Sequence, residues 1–175
     1  MDRKMISAEI FSAKSYHLWE KQWLLLTSGD FQSNAYNTMT VGWGSIGSVW
    51  GKPFVQVFVR PTRYTYQFIN EHPTFTLTAF PIQYRKALAM LGAKSGRDGD
   101  KIKASGLTAI PSQTIAAPGF AEADLIIECR KMYWDDLRPG NFLDDSIQGH
   151  YPEKDYHRLY FGEILAIYGD QEIYA

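Results

Sequence analysis

Two runs with strict alternation of side chains constrain this fold more than any other feature of the sequence. In the run PFVQVFV, at positions 53–59, Phe54, Gln56 and Phe58 alternate with three valines, so both faces are largely apolar. Such a pattern is typical of a central β-strand that is covered on both sides. In the run TFTLTAF, at positions 74–80, threonines alternate with apolar residues, which predicts a strand with one apolar face.

Further apolar segments predict that strands dominate the fold. Helices are expected to be few, and no regular alternation of strand and helix is visible. This order favours a mainly β structure, an antiparallel barrel with short peripheral helices, over a doubly wound sheet. The additional strands are predicted at Trp23–Thr27, at 38–42, at Asp124–Tyr133 and at Leu159–Tyr168.

Three short helices are predicted from their boundary residues. A helix start favours a side chain that caps free backbone N–H groups, and glycine or proline favours a helix end. The predicted helices run from Thr62 or Thr65 to before Pro73, from 83 to 91 with Gly92 as the stop, and from Asp98 or Asp100 to Gly106.

Composition limits the class of protein and of partner. The 175 residues predict a single domain over 1–175, and 18 basic against 19 acidic residues leave a net charge of −1, which argues against nucleic acid or a membrane surface as partner. Cys129, the single cysteine, lies in an apolar run and is expected to be buried and inert, and the four histidines lack metal-ligand spacing. The amino terminus lacks the apolar core of a signal peptide, so a cytoplasmic setting is expected.

The uncharged segment NTMTVGWGSIGSVWG, at positions 37–51, suggests a binding site for a flat aromatic cofactor. Its four glycines would let a ligand approach backbone N–H and C=O groups, and Trp43 and Trp50 would offer packing surface to a ring. Both tryptophans are equally compatible with a place in the core. No long helix follows the glycines, so a Rossmann or P-loop interpretation is weak.

Two basic segments suggest how a phosphate tail would be held. Arg60 and Arg63 come just before a predicted helix start, where backbone donors also favour an anion. Lys94, Arg97 and Lys101 follow in a second turn-rich segment. Taken singly, each cation is better interpreted as a solvated surface charge, so the prediction depends on the two segments converging on one site.

Three ordered motifs carry a resemblance to a known family. NTMTVGWGSIG, KPFVQVFVRPTRYTYQFI and LGAKSGRDGDKIKASGLT resemble segments of the flavin reductase-like, FMN-binding split-barrel proteins, especially their flavoredoxin branch. The resemblance covers about residues 20 to 170. It implies a six-stranded antiparallel split barrel that forms a homodimer and binds FMN non-covalently near the subunit interface. NAD(P)H is the implied electron donor, and a flavin or a partner protein the implied acceptor.

The resemblance also implies which residues contact the cofactor. Trp43 stands where flavin reductases often carry an Asn- or Ser-rich segment, and His157 is the equivalent of their histidine near the nicotinamide. The family pattern assigns Asn37, Met39, Thr40, Val41, Gly42 and Ser45 to the flavin ring, Arg60, Arg63, Tyr64 and Thr65 to the ribityl phosphate, and Lys94, Ser95, Gly96 and Lys101 to a segment that closes over the cofactor.

Three functions follow as alternatives. The first is an NAD(P)H-dependent FMN oxidoreductase, in which the flavin itself carries the hydride chemistry and no protein nucleophile or metal is needed. The second is an FMN-binding electron carrier or sensor without turnover. The third is a structural barrel without a cofactor, which would gain no stability from FMN.

Overall fold

The computed structural model describes residues 2–175 and shows one large antiparallel sheet and a separate two-stranded pair, with short helices around them. All six strands predicted from the apolar patterns are present, and the mainly β fold class is confirmed. The strands are β1 Lys4–Met5, β2 Leu24–Asp30, β3 Ala35–Val41, β4 Gly44–Val49, β5 Lys52–Val59, β6 Thr74–Ala79, β7 Ala109–Ile110, β8 Gly119–Phe120, β9 Leu125–Asp136 and β10 Arg158–Gly169.

The strand order brings the two ends of the sheet together. The order is β3-β2-β6-β9-β10-β5-β4, with β1 beside β10, while β7 and β8 form a separate pair. β3 and β4 occupy opposite ends of this order, yet only Gly42 and Trp43 separate them in the chain. The sheet must therefore curl until its ends approach each other. No ladder joins β3 to β4 within residues 2–175, so the barrel is split at this seam.

Two apolar clusters fill the two sides of the sheet. The larger one lies inside the curl and includes Val55, Val57, Val59, Phe75 and Cys129. Burial raises the pKa of the Cys129 thiol, as expected for an inert structural cysteine. The smaller cluster packs under the second helix and contains Leu25, Phe80, Leu88, Leu91, Leu107, Phe120, Ala123 and Ile126. Because both sides are covered there, the apolar runs at 24–26 in β2 and 125–127 in β9 do not alternate with polar residues.

The threonine face of β6 is buried, which differs from the one-sided pattern expected from the sequence. Thr76 and Thr78 are fully inaccessible to solvent. The hydroxyl of Thr76 donates to Pro118 O at 2.7 Å, so its polar group is satisfied inside the protein. A strand face made of threonines can therefore be buried under other parts of the protein, and the sequence alone did not reveal this for β6.

The helices are short, as predicted, but one cap and one boundary were wrong. The first helix begins at Thr65, as predicted, but Thr65 is not its cap, and no side chain caps that start. Gly92 lies inside the second helix, which continues to Ala93. The third helix starts at its cap Asp100 and ends at Gly106 as predicted. The helices are α1 Thr65–Glu71, α2 Arg85–Ala93, α3 Lys101–Ser105 and α4 Gln171–Tyr174, with a π-helical turn at His17–Gln22 and 3₁₀ turns at Ile82–Tyr84, Gly96–Asp98, Pro139–Asn141 and Asp145–His150.

The glycine-rich segment forms strand β4, which the sequence analysis did not predict. β4 pairs with β5 from Gly44 opposite Val57 to Val49 opposite Lys52. A Cβ at Gly44 would overlap the Trp19 ring and lie 2.5 Å from Gln56 O. This glycine therefore admits the protein's own tryptophan rather than a ligand.

None of the helices in residues 2–175 is long and apolar enough to cross a bilayer. The same residues contain no group of three or more His, Cys, Asp or Glu side chains placed to hold a metal ion.

Two glycines of β4 provide a matched test of this packing. Gly44→Ala is expected to destabilise the protein by about 1–3 kcal/mol, because the added methyl group overlaps a buried ring and a backbone oxygen. Gly47→Ala is the control, since its Cβ would make an ordinary 3.4 Å contact with Phe54. Urea unfolding followed by tryptophan fluorescence measures both variants. Equal losses of stability would contradict the packing described for Trp19.

Candidate functional site

Most of the predicted site residues line one groove. It consists of two cavities that share Met39 and Arg63. The aromatic cavity has a volume of about 190 Å³ and is lined by Met39, Thr40, Val41, Gly42, Trp43, Phe58, Arg60, Arg63 and His157. The basic cavity has a volume of about 80 Å³ and is lined by Met39, Thr62, Arg63, Tyr64, Thr65, Leu91, Gly92, Ala93, Lys94, Ser95 and Lys101.

The split in the barrel explains why these residues meet. The end of β3 and the Gly42–Trp43 link provide one wall, and the end of β5 provides another. The link between β5 and α1 and the end of α2 enclose the basic cavity. Segments that are distant in sequence therefore line a continuous surface at the seam between β3 and β4.

The aromatic cavity is lined by three planar rings, together with Arg60 and Arg63. Trp43 is 41 % exposed, and its ring centroid lies 5.1 Å from that of His157. The ring centroid of Phe58 lies 6.4 Å from that of His157, in an edge-on arrangement. Planar rings at these separations provide stacking and edge contacts for another flat group.

Arg60 lies in the aromatic cavity, not in the basic cavity where the phosphate was expected. Its Nη1 donates to both carboxylate oxygens of Asp155 at 2.9 Å, and its Nη2 donates to His150 O at 2.7 Å. The hydrogen bond from Arg60 lowers the pKa of Asp155. This guanidinium is already paired with a carboxylate of the protein, which reduces what it can offer to a phosphate.

His157 is held in place from behind by a tyrosine. The hydroxyl of Tyr151 lies 2.8 Å from His157 Nδ1, and both residues are buried. Burial, followed by the charge of Arg60, lowers the pKa of His157 to about 4. The imidazole is therefore neutral at pH 7 and can present an N–H donor without adding a charge.

The basic cavity keeps cationic donors for an anion. Arg63 Nη1 donates to Gly92 O at 2.8 Å, and Arg63 has no carboxylate partner within residues 2–175. Lys101 Nζ donates to Leu91 O at 2.9 Å and to Lys94 O at 3.1 Å, which leaves one of its three N–H groups for a ligand. Burial and the nearby Arg63 lower the pKa of Lys101 to about 8, so the amine is still mainly protonated at pH 7.

Three predicted residues do not line the groove. Asn37 is buried, and its Nδ2 donates to Thr65 Oγ1 at 2.7 Å, so it supports the start of α1. Ser45 lies on β4, where its hydroxyl donates to Gln56 Oε1 at 3.1 Å. Gly96 packs closely against Asn37 and Tyr64, and both Gly96 and Asn37 face a larger hollow along the outer edge of β3.

Trp50, suggested as a second ring surface, also lies outside the groove. It is 64 % exposed at the β4–β5 turn, where its ring is 6.2 Å from Tyr133 and 6.0 Å from Phe161.

Sequence reasoning missed several residues of the groove. Phe58 was visible as part of an alternating strand, and Thr62 lies between the two arginines that were predicted. The residues from Leu91 to Ala93 form the end of α2 directly before Lys94. Their place in the groove could therefore have been predicted together with that of Lys94. Nothing in the sequence pointed to Tyr151, because its contact with His157 depends on the fold of the loop before β10.

The Arg60–Asp155 pair gives a pH-dependent prediction. Asp155→Asn is expected to lower the free energy of unfolding by about 1 kcal/mol at pH 7, a modest value because both side chains are partly exposed. The pKa of Asp155 is lowered in the folded state, so this stabilisation is present above the unfolded pKa of about 4 and is lost as the pH falls below it.

Urea unfolding at pH 7 and at about pH 3 measures this effect. Glu153→Gln, in the same loop, is the control because Glu153 is exposed and makes no ion pair within residues 2–175. A stability difference between wild type and Asp155→Asn that is the same at both pH values would show that the ion pair is not its source.

Comparisons with known proteins agree with this architecture. An uncharacterized protein of Pyrococcus abyssi is 27 % identical over 152 residues, which cover 85 % of this chain and 74 % of that protein. The crystal structure of an FMN-binding domain of a flavin reductases-like enzyme from Shewanella baltica is similar with a TM-score of 0.68 and 18 % identity, over 98 % of this chain and 80 % of that one. The flavoredoxin of Desulfovibrio vulgaris has a TM-score of 0.67 and 22 % identity, over 95 % and 78 %.

Structural similarity at these identities establishes the fold. The family assignment comes from the sequence itself, since the model of the flavin reductase like domain matches residues 20–174. That match covers nearly the whole chain, including every residue that lines the groove. The chain belongs to the flavin reductase like domain family.

Proposed function

We propose that this protein is an FMN-dependent oxidoreductase that holds its flavin non-covalently in the groove. The observation that carries the proposal is the division of one groove into an aromatic end, where Arg60 is paired with Asp155, and a cationic end, with Arg63 where the two meet. FMN has the same division, with a planar ring at one end and a phosphate at the other. The similar structures described as an FMN-binding domain and as a flavoredoxin support this choice.

The donor set of the basic cavity fits a phosphate. Arg63 offers the guanidinium nitrogens that do not contact Gly92, and Lys101 offers its third N–H group. Ser95 Oγ accepts a hydrogen bond from Arg97 N at 3.2 Å, which leaves the Ser95 hydroxyl hydrogen free to donate. Lys94 is exposed at the rim of the same cavity. These four residues would hold the phosphate group.

The aromatic cavity fits the ring. Trp43, Phe58 and Met39 would contact its apolar part, and the nearby backbone of Val41 and Gly42 would contact its polar edge. Bound FMN supplies the hydride and electron chemistry, as in flavoproteins generally. The residues of the chain bind and orient the ring and exclude water from the closed side of the cavity.

The electron route is also part of the proposal. Electrons would pass from NAD(P)H through the flavin to a flavin or protein acceptor, with the chain acting as a single domain in a homodimer. Trp43 is more than one-third exposed, so the aromatic cavity opens toward solvent on one side. This opening is where a nicotinamide or a partner subunit would reach the ring.

A second candidate is an FMN-binding electron carrier that does not use a nicotinamide. The similarity to flavoredoxin favours this alternative. Both candidates require the same groove and differ only in the electron donor.

The first test is spectroscopic. Protein mixed with FMN is expected to bind it and show a shifted flavin absorption, and NADH or NADPH should then bleach the bound flavin. Rapid bleaching by either donor supports the oxidoreductase. Bleaching by a reduced electron-carrier protein alone would instead support the carrier, and failure to bind FMN at all would reject both.

A second test isolates the contact with the phosphate group of FMN. Arg63→Ala is expected to weaken FMN binding by ~1–3 kcal/mol, because a charge-assisted contact to phosphate is lost. Binding of riboflavin, which lacks the phosphate, should hardly change. Arg138→Ala is the control, since this exposed arginine lies outside the groove. Fluorescence titration gives all dissociation constants, and equal losses for the two flavins would contradict the phosphate assignment.

A further inference from the structure

The contact between Tyr151 and His157 is buried, although both residues lie in the loop before strand β10. Tyr151 is nearly inaccessible to solvent, and its ring stacks on Phe142 with centroids 6.1 Å apart and an interplanar angle of 14°. Tyr156 lies 5.0 Å away, and the guanidinium carbon of Arg60 lies 5.1 Å from the Tyr151 ring centroid. The phenol is therefore held on several sides, and its hydroxyl points at one nitrogen of His157.

The direction of this hydrogen bond follows from the partners available. The Tyr151 hydroxyl has no other hydrogen-bond partner within residues 2–175, so its hydrogen is satisfied only when it donates to His157 Nδ1. A neutral imidazole that accepts at Nδ1 carries its proton on Nε2. The hydrogen bond therefore selects one of the two tautomers.

The protonated nitrogen is accessible. Among the described residues, Trp19 Nε1 is the only buried side-chain nitrogen or oxygen without a partner. His157 Nε2 makes no hydrogen bond to a described residue, so it must be open to solvent or to the cavity that His157 lines. The charged and titratable groups around this imidazole are Arg60, Asp155, Arg63 and His150.

We propose that Tyr151 is a positioning residue that locks His157 as a neutral Nε2–H donor, aimed at an amide-type carbonyl oxygen of the ligand in the aromatic cavity. The carbonyl part of this inference rests on the proposed function. Two sources share the chemistry, namely the pyrimidine half of the flavin ring and the carboxamide of a nicotinamide.

The tautomer is tested without any ligand. Long-range ¹H–¹⁵N correlation spectra of ¹⁵N-histidine-labelled protein distinguish Nδ1–H from Nε2–H, and His157→Gln identifies the His157 signals. The wild type is expected to show the Nε2–H form at pH 7. In Tyr151→Phe the ratio of Nε2–H to Nδ1–H should fall about 5-fold, the equivalent of one ordinary hydrogen bond.

Tyr156→Phe is the matched control, since its hydroxyl contacts Gln148 and not His157. A wild-type spectrum with the proton on Nδ1 would overturn the proposal whether or not the variants fold. An unchanged ratio in folded Tyr151→Phe would overturn it as well.

The ligand is tested in two arms. FMN is added first, and NAD⁺ is then added to the FMN-bound protein. If the His157 Nε2 proton shifts downfield and exchanges more slowly after FMN is added, the flavin carbonyl is the hydrogen-bond acceptor. If the same change occurs only after NAD⁺ is added, the carboxamide is the acceptor. If FMN binds by absorption but neither arm moves this signal, the donor role is wrong. If FMN does not bind, the proposed function fails while the tautomer result stands.

Discussion

The pairing of β10 with β5 is the interaction on which the groove depends. Its register places Arg158 opposite Val59. Arg60 follows Val59 and His157 precedes Arg158, so the same register brings these two side chains to one end of the sheet. The Arg60–Asp155 ion pair and the Tyr151–His157 hydrogen bond then fold the loop before β10 over that end. A slip of one residue would turn every side chain of β10 to the opposite face and dismantle the cavity wall.

The protein's own contacts decide which cations remain for a ligand. Arg60 is neutralised by Asp155, whereas Arg63 has no carboxylate partner within the described residues. Lys101 is buried against two carbonyl oxygens, yet it keeps one free donor. The positive charge available to a ligand is therefore concentrated in the basic cavity. The anion-binding end therefore has more available cations than the aromatic end, which shares only Arg63 with it, although the chain as a whole is almost uncharged.

Sequence reasoning recovered the strands well because alternation in segments such as 53–59 reports burial directly. It missed β4 because glycines weaken every strand signal, and the packing of Trp19 that explains Gly44 is visible only in the folded chain. Predicted residues next to backbone turns, such as Arg63 and Lys94, do line the groove. Ser45 does not, because its hydroxyl is taken up by a neighbouring strand. Contacts within an irregular loop, such as that between Tyr151 and His157, depend on the folded chain and leave no local pattern.

The neutral imidazole of His157 lies in the same cavity as Arg60, whose charge is paired with Asp155. This arrangement would influence the reduction potential of a ligand in the aromatic cavity. An Nε2–H donor stabilises a carbonyl oxygen without adding charge, and it persists at every pH well above the His157 pKa of about 4. Arg63, which lines both cavities, is then the nearest cation that the protein does not neutralise. Any preference for a negatively charged ring would come from Arg63 together with a polarised carbonyl.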